Sequence, residues 1–387
     1  MVDYILQRLK GDKVIWLVIF LITMVSLLAV YTGAGSPVLA AKGSTLYFLV
    51  KHAVLLGVGY FIMYIVSNFD YRLFARISDY LLYLSIPVLI YVLLWGRDVN
   101  GASRWISVLG LSFQPSDLGK VALLIHLAKM LTQKQDFIKD FQKGFLPTIA
   151  WVIVICGLIA PANLSTSMLL FATSVILMFI GGVDMKFIAG MFLVGLIAGF
   201  ILFKVADRAP TWEHRIDDFW SSLTDPDFDP GYQVEQAYGA MAAGGIVGKG
   251  FGKSMQRNYV PNSTSDMIYA IIIEEYGFFG AIIVMGLYLV LLFRTVGIVT
   301  ISKTFGALLA AGLSFLLVIQ AMANMAVAVG VMPVTGQPLP MLSMGGTSIL
   351  FTSISLGIIL SVSKNALEEK NKGKDEFAGK KGGAALA

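Results

Sequence analysis

The sequence predicts an all-α polytopic membrane protein, with about ten transmembrane helices and a long extracytoplasmic loop between spans seven and eight. Three observations carry this prediction. Of 387 residues, 57% are hydrophobic and only 14% charged, whereas a soluble domain averages roughly 45–50% and about 25%. Apolar stretches near the ~20 residues needed to cross a bilayer recur along the chain. The lysines and arginines between them fall mostly in alternate connections. A soluble enzyme built on one large core, a disordered chain and a collagen are thereby excluded. Cys156 is the only cysteine, which excludes a disulfide scaffold, and its apolar neighbours mark it as a small buried hydrophobe. The net charge of +5 gives no indication of nucleic-acid binding until its location is known.

In chain order the candidate spans lie at roughly 14–33, 46–66, 79–96, 116–132, 145–161, 165–183, 187–206, 267–293, 305–332 and 346–364. The first has too long an apolar stretch for a cleavable signal peptide, and no small-residue cleavage pattern follows it. The fourth is interrupted by Lys120, His126 and Lys129, and the fifth is short. Ten spans put both termini on one side. Seventeen Lys and Arg fall on that side, against Lys42, Arg97 and Arg104 in the short loops opposite. The bias makes residues 1–13 a cytoplasmic N-terminus and 14–364 one membrane domain. The tail, 365–387, is polar and Gly/Lys-rich, which predicts a disordered cytoplasmic segment near anionic lipid.

The loop at 207–266 is far longer than a connector requires. Within it, the apolar character of 231–248 predicts a short helix on or in the outer surface. No strong internal repeat supports an inverted-repeat transporter. With this topology, the polar clusters of 100–120, 161–166, 207–266 and 333–348 all fall outside. A site built from them faces away from ATP.

Asp266, after Asn262-Ser263-Thr264-Ser265, reads in two compatible ways. It is an acid in the first turn of a helix, favoured by the helix dipole, or a carboxylate at the membrane boundary that serves as general base for a hydroxyl nucleophile. Lys120 and Arg104 are either interfacial anchors or the cations that a pyrophosphate leaving group requires. Glu274 and Glu275, roughly 12–13 Å further along a continuous helix, read first as structural acids that must face partners. Lys51 and His52 in span two carry the same ambiguity. Gly252-Lys253-Ser254 resembles the end of a phosphate-binding loop, but Val247 stands where its first glycine belongs. His52, His126 and His214 are scattered, without metal-ligand spacing. No nucleophile elbow supports a hydrolase.

The stretches NGASRWI (100–106), FQPSDLGK (113–120), GYQVEQA (231–237), GGIVGKGFGKS (244–254), SDMIYAIIIEEYG (265–277) and VMPVTGQPLPMLSMGGTS (331–348) together resemble the SEDS family of shape, elongation, division and sporulation proteins. FtsW, RodA and SpoVE belong to it, and the version at 265–277 is more similar to FtsW. The resemblance covers essentially the whole membrane region. It implies a cell-wall enzyme of the bacterial inner membrane that polymerises lipid II into glycan strands outside, during division or growth. Asp266 then matches the essential loop aspartate: it deprotonates the incoming GlcNAc 4-hydroxyl, which attacks C1 of the terminal MurNAc with inversion, and undecaprenyl pyrophosphate leaves. Arg104, Lys120 and Lys249 are the phosphate-side candidates, while Gln114, Ser116, Gln233 and Gln236 line the cavity. Asn163, Thr166, Gly345, Gly346 and Ser348 are structural polar or turn positions. The implied partners are lipid II, undecaprenyl-linked glycan, an FtsI-like class B penicillin-binding protein and other divisome or elongasome membrane proteins.

The sequence departs from the family pattern at four places. Asn163 stands where an Asp is usual, Ser265 replaces a Thr, Ser263 falls near the usual His, and Met344 replaces a Tyr. No second carboxylate acts from 163, and no histidine assists Asp266. No cofactor is required, although acids outside are of the type that binds Mg²⁺ or Mn²⁺. The competing readings are a lipid II flippase, which needs polar groups at both leaflets, and a non-catalytic divisome scaffold.

Overall fold

The structure, a computed structural model, describes residues 10–36, 39, 43–98, 103–108, 111–205, 209–225, 232–259 and 264–384. Twelve α-helices occur among them. In order they are α1 (Lys13–Ala34), α2 (Thr45–Asn68), α3 (Arg72–Trp95), α4 (Pro115–Gln133), α5 (Leu146–Ile159) and α6 (Leu164–Ile180). Then follow α7 (Met185–Val205), α8 (Ala209–Thr224), α9 (Tyr232–Gly244), α10 (Ile268–Val299), α11 (Thr304–Ala328) and α12 (Gly346–Ala384). Three short antiparallel strands, β1 (Arg97–Asp98), β2 (Ser103–Val108) and β3 (Leu111–Phe113), join α3 to α4.

Among the described residues, seven helices are long and apolar enough to cross a membrane, and α6 and α7 contribute shorter apolar helices. The tenth span is α4, which carries Asp117, Lys120 and Lys129. Its charges are tolerated because α4 runs through the protein interior, where Ala122, Leu123, Leu124 and Ala128 are fully buried. The membrane windows of α11 and α12 are 72% buried, against 22% for α2 and 28% for α3. The centre is therefore α4, α11 and α12, and the rim presents leucines, tyrosines and phenylalanines outward.

Local chemistry sets the starts. Asp12 caps α1 by accepting from the Val14 and Ile15 amides at 2.8 and 3.3 Å, and it also pairs with Arg294 of α10. Ser44 caps α2, and Asn163 caps α6 through the Thr166 amide. Pro115 opens α4, where its missing N–H costs nothing. The third span starts earlier than hydropathy predicts, because Arg72, Arg76 and Asp79 ride on the first two turns of α3. The backbone stays helical to Ala384, where composition predicts disorder from 365. Glu369 anchors the start of that extension to Lys303 at 2.7 Å and Arg72 at 3.4 Å, and its Ala, Glu and Lys content favours helix.

Two departures shape the site. The helix α10 breaks at Gly277, whose φ of 66° and ψ of −164° only glycine adopts readily. The glycine-rich segment 244–250 packs directly on this break. Lys249 N donates to Glu274 O at 3.0 Å, Gly250 N to Glu275 O at 2.8 Å, and Phe278 N to Gly245 O at 3.0 Å. A Cβ on Gly248 would lie 2.2 Å from Glu275 O, and one on Gly277 would lie 2.3 Å from Ile246 O. These glycines thus serve backbone-to-backbone contact, not phosphate binding. Secondly, 337–345 enters the bundle instead of lying outside it. Leu339, Met341, Leu342 and Ser343 are buried, and Tyr288 and Ser26 donate to Pro340 O (2.6 Å) and Leu342 O (2.7 Å). Non-helical backbone at this depth is tolerated because protein groups satisfy it.

Candidate functional site

Asp266 sits in a turn over 264–267, and α10 begins only at Ile268. The N-cap of α10 is Met267, with no side-chain capping bond. Asp266 therefore precedes the first turn of α10, whereas the sequence placed it within that turn. Its carboxylate accepts instead from Ser265 Oγ at 2.8 Å, and its carbonyl accepts from Asn324 Nδ2 at 2.7 Å. The same Asn324 amide donates to Gln337 O at 2.6 Å. Ser343 Oγ donates to Ser265 O at 2.7 Å, and Met344 N to Thr264 O at 2.8 Å. One re-entrant segment and the last turns of α11 thus clamp the main chain on both sides of the carboxylate. Gly336, at φ 64°, passes so close that a Cβ there would lie 3.4 Å from Asp266 Oδ2.

Arg215 approaches from α8, donating to Val334 O at 3.1 Å. Burial pulls its guanidinium below the usual range, and the Asp266 carboxylate opposes that shift. A carboxylate and a guanidinium supported by rigid main chain can remove a proton from one group and offset developing negative charge on another.

Below them a polar network crosses the bundle. Lys120 pairs with Asp117 at 2.7 Å and reaches Gln320 Oε1 at 3.5 Å. Gln320 Nε2 donates to Pro338 O at 2.8 Å, and Gln337 Nε2 to Thr166 Oγ1 at 2.7 Å. Lys120 is thus charge-matched rather than solitary. Ser116 Oγ and Asp117 Oδ2 are buried with no hydrogen-bond partner among the described residues. Ser116 lines a small cavity with Gln114 and Asn163, walled by apolar side chains of α3 and α5. The Gln114 main-chain N–H donates to Thr347 Oγ1 at 3.3 Å. Gly345, Gly346 and Ser348 form the junction where the re-entrant segment passes into α12.

Other expected residues are placed elsewhere. Lys249, expected at a phosphate, pairs with fully buried Glu274 at 2.8 Å. Glu274 also accepts from Ser254 Oγ and the Met255 and Gln256 amides. Glu275 accepts from Thr32 Oγ1 at 3.2 Å. Both acids lie on the short leg of α10 before Gly277, so a continuous helix does not set their distance from Asp266. Gln236 is half-buried on α9, and the side chains of Arg104 and Gln233 lie outside the described ones. Of the expected loop helix, α9 forms over Tyr232–Gly244; α8 was not expected at all. Lys51 is exposed, whereas His52 is buried and shares a hydrogen bond with Ser26 Oγ at 2.7 Å.

Sequence reasoning missed Arg215, Gln320, Asn324 and Gln337. The pair Gln320 and Asn324 carried a signal, since two amides one turn apart in an apolar helix demand a shared polar face. The expectation that polar groups gather only at the outer end is also corrected. Asp79, His126 and Lys129 form a second cluster toward the end that bears the termini, at 3.0 Å (Asp79–His126) and 2.7 Å (Asp79–Lys129). Among the described residues no three His, Cys, Asp or Glu form a metal-type group.

The family model described as cell cycle protein, covering FtsW, RodA and SpoVE, matches residues 12–368. The probable peptidoglycan glycosyltransferase FtsW of Trichlorobacter lovleyi is 34% identical over 94% of this chain and 96% of its own. Stage V sporulation protein E of Bacillus subtilis is 31% identical over 92% and 98%. Among solved structures, one chain of a peptidoglycan synthase complex that coordinates polymerization and crosslinking superposes with a TM-score of 0.74 at 25% identity, covering 92% of this chain and 98% of that one. The rod shape determining protein RodA of Thermus thermophilus gives 0.68 at 24%, covering 92% and 97%, which shows a shared fold.

Proposed function

Since this chain belongs to the FtsW/RodA/SpoVE family, we propose that it is a peptidoglycan glycosyltransferase polymerising lipid II on the outer face of the cytoplasmic membrane. Both termini are cytoplasmic, and the Asp266 end faces outward. Asp266 takes the proton of the GlcNAc 4-hydroxyl as that oxygen bonds to C1 of the terminal MurNAc. The C1–oxygen bond on the opposite face breaks, and undecaprenyl pyrophosphate departs with the electron pair. Arg215 joins Arg104 and Lys120 in offsetting its charge, and Gln114, Ser116, Gln233 and Gln236 line the substrate path. Lys249, tied to Glu274, holds the loop. A class B penicillin-binding protein cross-links the product.

The observation that supports this reading is how Asp266 is held. Its main chain is clamped by Asn324 and Ser343, and its carboxylate lies within electrostatic reach of Arg215. The test is polymerisation of labelled lipid II by the purified chain with its penicillin-binding partner. Asp266→Ala is expected to abolish polymer while the protein stays folded. An undiminished rate in that variant overturns the general-base role, and lipid movement without polymer favours a flippase.

A further inference from the structure

The Asp79–His126–Lys129 cluster has no part in the proposed reaction, because it lies toward the opposite end of α4 from Lys120. Asp79 is roughly 10 Å from the Arg72 end of α3, and Lys129 roughly 6 Å from the Gln133 end of α4, at 1.5 Å per residue. Both positions are within reach of the lipid headgroups of that leaflet. The cluster opens sideways: the Asp79 side chain is 41% exposed, while Lys129 is 16% and His126 7% exposed behind it. Trp151 of α5 forms the facing wall, with ring centroids 5.6 Å from both Tyr83 and His126. Tyr80 and Tyr83 project from α3 on the open side, and Arg76 is exposed one turn before Tyr80.

We propose that this groove between α3 and α5, floored by α4, binds the phosphodiester of an anionic phospholipid. Charge favours that occupant. Arg76 and Lys129 against Asp79 leave one net positive charge facing the bilayer, which is costly unless matched. A phosphodiester with an uncharged headgroup supplies one negative charge, whereas a zwitterionic lipid supplies none. Donors are available: the Lys129 ammonium has two N–H bonds beyond the one to Asp79, and Arg76 presents a guanidinium. The buried His126 Nε2 has no hydrogen-bond partner among the described residues. Tyr80, Tyr83 and Trp151 are the amphipathic rings that settle at headgroup level.

The experiment uses the full chain in nanodiscs containing brominated phosphatidylglycerol or, at equal mole fraction, brominated phosphatidylcholine. Trp151 quenching is read as the difference between the parent and Trp151→Phe. Phosphatidylglycerol is expected to quench Trp151 in preference, and Arg76→Gln or Lys129→Gln each to reduce that preference about fivefold. Asp79→Asn, which removes the opposing charge, is expected to raise it. Arg76 is exposed, so Arg76→Gln tests the idea even if the buried variants misfold. Equal quenching by the two lipids overturns the proposal, as does a preference insensitive to Arg76→Gln. Protection of Trp151 from both lipids overturns it in favour of a protein helix in the groove.

Discussion

Asp266 spends its side chain on Ser265 and on the field of Arg215, and its main chain on Asn324. Removing its charge therefore leaves the clamp intact. Asp266→Asn is expected to lower lipid II polymerisation by about 10²–10⁴-fold, the usual contribution of a general base, with the thermal midpoint in detergent unmoved. A midpoint that collapses with the rate shows a structural role instead. Arg215→Ala is expected to lower the turnover number by about 10²-fold, as loss of one charge-stabilising donor does, with Arg215→Lys intermediate. Asn324→Leu strips a donor from two main-chain carbonyls, each costing about 1–3 kcal/mol when left buried and unpaired. Lower stability and lower turnover together are the expected signature.

At the scale of elements, the break in α10 and the 244–250 segment form one unit. Gly277→Ala combines a left-handed backbone, costing about 1–3 kcal/mol, with a Cβ 2.3 Å from Ile246 O. A clear drop in thermal midpoint is expected. Gly286→Ala, further along α10, meets nothing within 4 Å and is expected to stabilise slightly through helix propensity. Equal behaviour of the two variants contradicts the packing account. The sequence showed these glycines but not their purpose, because the 244–250 main chain and the Gly277 turn meet only in the folded protein.

For the whole molecule, the orientation proposed from seventeen basic residues against three is open to direct labelling. In a Cys156→Ser background, Tyr259→Cys at the Asp266 end is expected to react with an impermeant thiol reagent in intact cells. Lys370→Cys on α12 is expected to react only after permeabilisation. The reverse pattern inverts the topology and puts Asp266 inside. The second charged cluster on α4 also matters at this scale. Polar groups occupy both halves of the bundle, so the choice of enzyme over flippase rests on the chemistry at Asp266 and on the family, not on polarity at one end alone.

Hydropathy and charge are additive along a chain, so the sequence by itself determined the ten spans and the long loop. Its ordered motifs determined the family. Tertiary structure alone decided which charges are spent on one another. Lys249 goes to Glu274, and Arg215, 51 residues before Asp266 in the chain, comes within its electrostatic reach. Such pairings depend on the break at Gly277 and on the burial of 337–345. Both are main-chain events whose partners lie far away in sequence, where no local periodicity records them.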